Sequence, residues 1–215
     1  MTAAGAEPSR DCPLCPRLVA FRAEARAAEP GWFNAPVPGF GQAGARLTII
    51  GLAPGLRGAN RTGRPFTGDY AGDLLYATLL KFGFARGTYQ ARPDDGLTLI
   101  DCRITNAVRC VPPENKPTPA EIKTCRGFLS SALATVPPKG VLLALGRIAH
   151  DSSLAALGAR AAAFRFTHGA AHAVRPGITL YDSYHCSRYN TNTGRLTTQM
   201  FEDVFTAIRR DLDQL

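Results

Sequence analysis

The fold is decided by the stretch LTIIGLAPG at residues 47–55, in which an apolar, β-rich run ends at a turn containing glycine and proline. Three more apolar runs follow it, and together they predict strands at 47–52, 97–108, 141–145 and 178–184. Helical patterns flank these runs and predict helices at 14–28, 71–82, 118–135, 147–157 and 197–212. Apolar strands that alternate with helices are typical of a parallel sheet covered on both faces. The sequence therefore predicts an α/β fold, a three-layer α/β/α sandwich around a central four-stranded parallel sheet.

The bulk composition predicts one domain spanning residues 1–215. The chain is 45% hydrophobic with a mean hydropathy of -0.07, which is enough apolar material for one sizeable core. It has no apolar run of about 18 residues, and residues 1–10 lack a basic start followed by an apolar stretch. We therefore expect neither a membrane span nor a signal peptide, and we expect a cytoplasmic monomer.

The charge balance points towards a polyanionic partner. Lysine and arginine number 25 against 17 aspartates and glutamates, and 21 of the 25 basic residues are arginines. Arginine binds phosphate groups through two parallel hydrogen bonds. The net charge of +8 is therefore compatible with DNA binding. Because an arginine-rich composition also arises from codon bias, the charge alone does not establish that the protein binds DNA.

Polar motifs follow three of the four predicted strands at the point where each strand ends. The first strand continues into GLAPG at 51–55 and GANRTGRPFTGD at 58–69, the second ends in TNAVRC at 105–110, and the fourth ends in HCSRYNTNTGR at 185–195. Ligands of open parallel sheets bind outside the carboxyl ends of the strands, so three such motifs at one rim predict a functional site. The glycine-rich segment matches neither common phosphate-binding fingerprint, which argues against ATP, and its glycines allow close approach of the backbone to a flat base.

Four of the six cysteines are candidate metal ligands. Cys12 and Cys15 form a C-x-x-C pair, and Cys110 and Cys125 lie on either side of a proline-rich loop. Four thiolates from two pairs can enclose one iron-sulfur cluster or one zinc ion, and the spacing does not separate these alternatives from free thiols. The remaining two cysteines fall in strand-like segments and are expected to be buried small hydrophobes.

The three rim motifs and the four cysteines in their order resemble the family 5, or B-type, uracil-DNA glycosylases. The resemblance runs from Cys12 to about Thr198. It implies the sandwich fold and an N-terminal cluster-binding segment, with a structural [4Fe-4S] cluster held by Cys12, Cys15, Cys110 and Cys125. It also implies a monofunctional glycosylase that hydrolyses the N-glycosidic bond of uracil in DNA, and of other deaminated bases such as hypoxanthine and xanthine.

Three side chains of these motifs are candidate catalytic residues. Cleavage of an N-glycosidic bond builds positive charge on the sugar and negative charge on the departing base. We expect Asp69 to stabilise the sugar and orient a water, and His185 to donate a hydrogen bond to O2 of the base. Asn106 has a donor and an acceptor and can pair with the Watson-Crick edge of a flipped base. The ordinary alternatives are a helix N-cap for Asp69, a core histidine for His185 and a loop-bridging amide for Asn106.

The remaining substrate contacts are assigned to the glycine turn and to one aromatic residue. Phe66 is suited to stack on the flipped base, although an isolated phenylalanine more often belongs to the core. The base pocket is expected to consist of Gly51, Ala53, Pro54, Gly55, Phe66, Asn106 and His185. Many relatives in the wider superfamily carry an acidic or amide side chain just after this turn, whereas this chain has Gly55 to Gly58 there, which is typical of the B-type group and leaves Asp69 as the nearest carboxylate.

Contacts with the DNA backbone are expected from residues that flank the rim. These are Arg61, Arg64, Ser187, Arg188, Tyr189 and Arg195. Arg188 and Tyr189 are also candidates to enter the gap left by the flipped nucleotide. The partner is DNA containing deaminated bases, with the choice between double and single strands left open. The alternatives are a non-catalytic iron-sulfur or zinc protein that binds nucleic acid and a redox protein with a small cofactor at the rim.

Overall fold

A computed structural model describes residues 6–214 of the chain, so the predicted domain ends at 1 and 215 lie outside the described residues. The helices are α1 Pro16–Ala28, α2 Ala59–Thr62, α3 Tyr70–Lys81, α4 Pro119–Leu133, α5 Arg147–Leu157, α6 Arg188–Asn192 and α7 Thr198–Asp213. The strands are β1 Phe40–Gly41, β2 Leu47–Gly51, β3 Ala85–Arg86, β4 Thr98–Leu99, β5 Cys102–Asn106, β6 Gly140–Leu145, β7 Ala171–Arg175 and β8 Ile178–Ser183. All five predicted helices and the four predicted strands are present, with ends that differ by a few residues.

The main sheet of residues 6–214 has six strands in the order β1-β5-β2-β6-β8-β7. The central four, β5, β2, β6 and β8, are parallel to one another, which confirms the predicted arrangement. The prediction omitted β1 and β7, which extend the sheet at its edges and run antiparallel to their neighbours. β1 has two residues and β7 is mostly exposed, so neither carries the continuous apolar run of a buried strand.

The long apolar run at 97–108 was predicted as one strand and forms two. β4 pairs with β3 in a separate hairpin, and β5 belongs to the main sheet. Asp101 lies between them with a φ of 47°, a left-handed conformation that no strand continues through. The break turns β5 into the sheet at the register that places Asn106 at its carboxyl end, opposite Gly51 of β2.

Two apolar clusters cover the two faces of the sheet. Consecutive residues of β2 point to opposite sides, so Ile49 joins the cluster under α3 and α7, whereas Ile50 joins the cluster under α4 and α5. Both side chains are fully buried. This is the predicted three-layer sandwich, and it leaves the carboxyl ends of the parallel strands free to form a site. No helix in the described part of the chain is long and apolar enough to cross a membrane.

A buried carboxylate on β8 is hydrogen-bonded to two histidines. Asp182 Oδ1 lies 2.7 Å from Nδ1 of His150, and Asp182 Oδ2 lies 3.0 Å from Nε2 of His172. Nε2 of His150 lies 3.0 Å from the carbonyl oxygen of Phe164. A carbonyl and a carboxylate both accept, so His150 satisfies both contacts only when both ring nitrogens carry protons. Burial lowers the pKa of His150, but the hydrogen bond and charge of Asp182 outweigh it and the pKa is raised.

This pair gives the fold a pH-dependent contribution to its stability. A raised pKa in the folded state means that the contribution is fully present below the pKa of an unfolded histidine, about 6.5, and is lost as pH rises through the folded value. We therefore expect wild type to exceed His150→Gln in free energy of unfolding by more at pH 6 than at pH 8, as measured by urea denaturation. An equal difference at both pH values would show that His150 is not charged in the folded protein.

Candidate active site

The carboxyl ends of β2, β5 and β8 surround an open pocket of about 370 Å³, within the usual range for small-molecule sites. Most of the predicted site residues line it, namely Ala53, Pro54, Gly55, Phe66, Asp69, Asn106, His185, Ser187 and Arg188. Gly51 lies behind the wall, where a Cβ would clash with the side chains of Asn106 and Phe66. Glycine is therefore required at 51, because those two side chains occupy the space in front of it.

Two rings form one wall of the pocket. Phe66 and His185 are stacked with their centroids 5.8 Å apart and an interplanar angle of 30°. Phe66 has a φ of 52°, a left-handed conformation that is uncommon for a large side chain. Such a conformation persists only where neighbouring contacts enforce it, and it turns the ring into the pocket.

Asn106 presents an unsatisfied oxygen at the end of β5. The side chain is 3% exposed, and its Oδ1 has no hydrogen-bond partner within residues 6–214. A buried acceptor without a partner costs about 1 to 3 kcal/mol, so a ligand that donates to it gains that free energy. The loop-bridging alternative for Asn106 therefore does not account for this oxygen.

Asp69 combines a structural role with a position in the pocket. Its Oδ1 accepts a hydrogen bond of 3.2 Å from the backbone nitrogen of Gly72, so Asp69 is the N-cap of α3. Its Oδ2 lies against Gly58, where a Cβ would clash with it. Burial raises the pKa of Asp69 above its ordinary value, and the backbone hydrogen bond from Gly72 opposes this only in part. The N-cap interpretation is thus correct, and one oxygen remains for a ligand.

His185 is held neutral by its surroundings. Burial lowers its pKa to about 4, so the ring is uncharged at neutral pH. Its backbone carbonyl accepts a hydrogen bond of 2.8 Å from Nδ2 of Asn190, which fixes the loop between β8 and α6. No hydrogen bond to either ring nitrogen is formed in the described part of the chain. The imidazole can therefore donate one N–H to a ligand without transferring a full proton.

An arginine and a tyrosine lie at the rim of the pocket, and only the arginine was predicted from the sequence. Arg188 was predicted, and its guanidinium lies 5.1 Å from the ring centroid of Tyr70. Tyr70 lines the pocket and is 39% exposed, yet it was not predicted. Its position directly after Asp69 was the available signal. Asn115, from the loop before α4, also lines the pocket and gave no signal of its own.

The four candidate cysteines come together away from this pocket. They line a small cavity between α1, α4 and the end of β5, with Leu18, Arg22 and Phe128 among the other lining residues. Nη1 of Arg22 lies 3.5 Å from Sγ of Cys110, and the backbone nitrogen of Arg109 donates to Sγ of Cys125 over 3.4 Å. Burial raises the pKa of Cys110 to about 12 and that of Cys125 to about 11. Thiolates at these positions therefore need a bound cation to stabilise them.

The spacing of the four sulfurs differs from that of a mononuclear metal site. Tetrahedral zinc, with Zn–S distances of about 2.3 Å, brings its sulfurs to about 3.8 Å from one another. Three or more ligand atoms within 4.8 Å of one another occur in residues 6–214 only at His150, His172 and Asp182. No three of the four cysteine sulfurs therefore lie as close together as the ligands of a single zinc ion.

Comparison with known proteins agrees with this geometry. The family model of the uracil DNA glycosylase superfamily matches residues 38–209. The chain belongs to this superfamily. It is 47% identical to the type-5 uracil-DNA glycosylase of Thermus thermophilus over 93% of both chains. It is 42% identical to the type-5 enzyme of Mycobacterium bovis over 93% of this chain and 77% of the relative. A type-4 enzyme of Archaeoglobus fulgidus is 37% identical over 53% of this chain and 49% of its own.

The family assignment confirms the resemblance to the B-type group that the motifs carried. The matched region covers the glycine turn, Asp69, Asn106 and His185, together with two of the four cavity cysteines, Cys110 and Cys125. The other two cysteines, Cys12 and Cys15, precede it.

The predicted DNA contacts of this superfamily member divide into exposed and buried residues. Arg61, Arg188 and Arg195 are exposed, and Tyr189 is 70% exposed. The guanidinium of Arg195 lies 4.7 Å from the ring centroid of Tyr184. Ser187 is half-buried and caps α6, which begins at Arg188. These residues remain available to DNA.

The prediction for Arg64 was wrong. Its side chain is 5% exposed and forms two hydrogen bonds, of 2.8 and 2.7 Å, with the buried carboxylate of Asp95. Its Nε donates to Thr67 Oγ1 over 2.8 Å, and Tyr76 packs against the guanidinium at 5.3 Å. Arg64 is thus buried beneath the loop that carries Phe66, where a phosphate cannot reach its guanidinium.

Arg64 instead positions Phe66. Residues 64–67 are held from below by Arg64 and by two tyrosines, because Tyr76 Oη donates to the carbonyl of Pro65 over 2.7 Å and Tyr89 Oη donates to the carbonyl of Phe66 over 3.2 Å. Asp95 has its pKa lowered by the Arg64 hydrogen bonds, so the pair is ionised at neutral pH. These contacts enforce the left-handed backbone of Phe66.

Weakening this support is expected to slow the reaction more than it weakens DNA binding. Arg64→Lys keeps the charge and loses the two parallel hydrogen bonds, so Phe66 moves and the single-turnover rate should fall about 10-fold. Tyr89→Phe, which removes one hydrogen bond, should show a smaller fall. Rates and DNA affinity are to be measured separately below the melting temperature of each variant. Equal losses in both quantities for Arg64→Lys would mean that Arg64 supports stability alone.

Proposed function

We propose that this protein excises uracil from DNA by hydrolysing the N-glycosidic bond, which leaves an abasic site. The observation that carries the proposal is the unpaired, buried oxygen of Asn106 in the same pocket as the half-buried carboxylate of Asp69. Membership of the superfamily and 47% identity to a type-5 uracil-DNA glycosylase support it. A site that only bound DNA would have no use for a destabilised carboxylate beside a base-sized recess.

Base recognition follows from Phe66 and Asn106. Enzymes that act on a base inside DNA extrude it from the stack into a pocket. Uracil offers an N3–H donor between two carbonyl acceptors, so Oδ1 of Asn106 can accept from N3–H while Nδ2 donates to O4. The ring of Phe66 supplies a face on which the base stacks. The backbone of Ala53, Pro54 and Gly55 lines the pocket beside it.

Departure of the base is assisted by His185. Negative charge develops on uracil as the bond breaks, and a preformed donor near O2 stabilises that charge. Because burial keeps the pKa of His185 near 4, the imidazole donates as a neutral group and its own proton stays on the ring. Uracil therefore leaves as a stabilised anion.

The sugar side of the reaction is assigned to Asp69. The free Oδ2 provides negative charge for the oxocarbenium-like sugar and accepts a proton from the attacking water. Burial raises the pKa of Asp69, which means that its ionised form is poorly solvated and interacts strongly with a cation that appears beside it. The N-cap bond to Gly72 fixes the orientation of the carboxylate.

The DNA backbone is assigned to the exposed residues around the pocket. Arg61, Arg188 and Arg195 bind phosphates, and Ser187 and Tyr189 contact the strand beside the pocket. Tyr189 extends into solvent at the start of α6 and can fill the gap left by the flipped nucleotide. These contacts position the strand without reading its sequence.

We further propose that Cys12, Cys15, Cys110 and Cys125 hold a [4Fe-4S] cluster. The cavity is lined by four sulfurs, no three of which lie within 4.8 Å of one another as the ligands of one zinc ion would, and two of them accept N–H hydrogen bonds. When bound, the cluster joins α1, α4 and the loop after β5 into one unit. Arg17 reinforces the same unit, because its guanidinium donates to Glu121 of α4 over 2.8 and 2.7 Å. The six cysteines form no disulfides in the structure.

The base range is proposed to include hypoxanthine and xanthine. Both present an N1–H donor beside a carbonyl, which is the pattern that Asn106 recognises in uracil. The pocket of about 370 Å³ leaves space for the larger purine ring. Thymine has the same hydrogen-bonding edge as uracil and differs by a methyl group, so it tests whether the pocket rejects bulk at C5.

The test is base excision by the purified protein on end-labelled duplexes. Each duplex carries uracil, hypoxanthine, xanthine or thymine at one position, and alkali is added to break any abasic site. We expect strand cleavage at uracil and at the two deaminated purines. An intact uracil strand despite clear DNA binding would overturn the proposal and favour a non-catalytic nucleic-acid-binding protein.

A further inference from the structure

A second cleft lies on the far side of α2 from the pocket. It is lined by Trp32, Phe33, Arg10, Arg61 and Arg92, with Asp94 at one edge. The segment that carries the two aromatic residues is bound to α2, since the backbone nitrogen of Phe33 donates to the carbonyl of Arg61 over 3.0 Å. α2 has four residues, and Ala59 at its start lines the active-site pocket. One short helix therefore separates the two depressions.

The charges of the cleft are available for a ligand. Arg10, Arg61 and Arg92 are exposed, and Arg61 forms no ion pair within residues 6–214. Arg92 lies 3.6 Å from Asp94, but both side chains are more than half exposed, so this pair is held weakly. Three arginines against one aspartate leave the cleft positively charged.

Trp32 contributes an indole ring to the lining of the cleft. Its ring is half-buried and stacks on no other ring or guanidinium in the described part of the chain. Phe33, in contrast, is covered by the guanidinium of Arg10 at 5.8 Å. An aromatic ring beside exposed arginines is the combination that proteins use to bind unpaired nucleotides, because a base stacks on the ring while the arginines bind phosphates.

We propose that this Trp32 cleft binds an unpaired nucleotide of the DNA strand that enters the active site. The inference rests on the proposed function in one respect, that DNA lies over the pocket. A strand that leaves the pocket across α2 passes Arg61, whose guanidinium lies against Gly68 beside Asp69, and then reaches Trp32. Stacking needs a base face that is free, so the cleft favours single-stranded DNA over an intact duplex.

Tryptophan fluorescence tests the cleft directly, because Trp32 is the single tryptophan of the chain. Wild-type protein is titrated with a uracil-free oligothymidylate of about 12 nucleotides, a length within the usual site size. We expect saturable quenching, weaker quenching by a blunt duplex of equal length, and none by polyglutamate. Binding of a dye-labelled strand without quenching would overturn the proposal, as would equal quenching by polyglutamate, which would indicate an acidic peptide site.

Substitutions distinguish the contribution of base stacking on Trp32 from that of the arginine charges. Trp32→Leu is expected to weaken oligothymidylate binding, followed by anisotropy, on the order of 5- to 100-fold, and Trp32→Phe should restore most of it. Arg61→Ala combined with Arg92→Ala should reduce the slope of log affinity against log salt by about 1.4. The matched control is Arg210→Ala, an exposed arginine near the end of α7, where Leu212 contacts Arg46 at the opposite rim of the sheet. An unchanged slope in the double variant would contradict phosphate binding in the cleft.

The outcomes for the cleft and for the glycosylase are independent. Uracil excision without quenching of Trp32 would overturn the proposal that the cleft binds a nucleotide and would leave the proposed function intact. Quenching without excision would support the cleft and overturn the proposed function.

Discussion

Replacing Asp69 with asparagine is expected to slow single-turnover uracil excision by about 100- to 1,000-fold, the loss seen when one charge-stabilising group is removed from an active site. The amide has the same shape and remains a good N-cap, so the bond to Gly72 is retained. What is lost is the negative charge beside the sugar and the acceptor for the proton of water. DNA affinity should stay close to that of wild type.

The stability of the same variant provides its control. A pKa raised by burial means that ionised Asp69 is disfavoured in the folded protein, so this group lowers stability as pH rises through its folded value. Asp69→Asn should therefore be as stable as wild type at neutral pH, or more stable. The wild-type rate should fall as pH is lowered through the raised pKa, and the variant should lack this step. An unchanged rate in Asp69→Asn would remove the carboxylate from the mechanism.

Replacing Cys110 with alanine is expected to abolish cluster binding and to destabilise the fold. Metal binding to thiolates contributes directly to folding, with about 10 to 16 kcal/mol measured for structural zinc in small domains. The cavity walls come from α1, α4 and the end of β5, so the N-terminal segment should detach when the cluster is absent. Iron content, the visible absorbance of the cluster and thermal melting report the three effects.

The matched control for that variant is Cys102→Ala. Cys102 is buried in the apolar core under α3 and α7, away from the cavity, and burial raises its pKa. We expect this variant to retain its iron and to lose only the stability of a small core truncation. Full iron in soluble Cys110→Ala would contradict the ligand assignment, and loss of iron in Cys102→Ala would show that iron content reports the general stability of the fold.

Much of the sandwich could be predicted because its signals are local. β2 and β6 are buried along their whole length and β8 over its last four residues, so their sequences are rich in apolar residues. β7 could not be predicted in this way, since its residues alternate between exposed and partly buried. The break at Asp101 depends on one left-handed backbone angle. It could not be predicted because apolar residues lie on both sides of Asp101 and resemble one continuous strand.

Site residues that directly follow a strand could be predicted from the sequence. Residues whose burial depends on a partner far away in the chain could not. Asn106 and His185 lie at or just beyond strand ends, so topology alone brings them together. Arg64 belongs to the same motif as exposed Arg61, and the two look alike in sequence. The difference is Asp95, which lies 31 residues away and pairs with Arg64 beneath the loop.

The central claim is that this pocket hydrolyses the bond between uracil and its sugar. The measurement that tests it most directly is the release of free uracil in a single turnover, by wild type and by Asp69→Asn on the same duplex. We expect one uracil per alkali-sensitive site, a strand that stays intact before alkali, and release at least about 100-fold slower in the variant. No free uracil from wild type, or equal rates in both proteins, would contradict the claim.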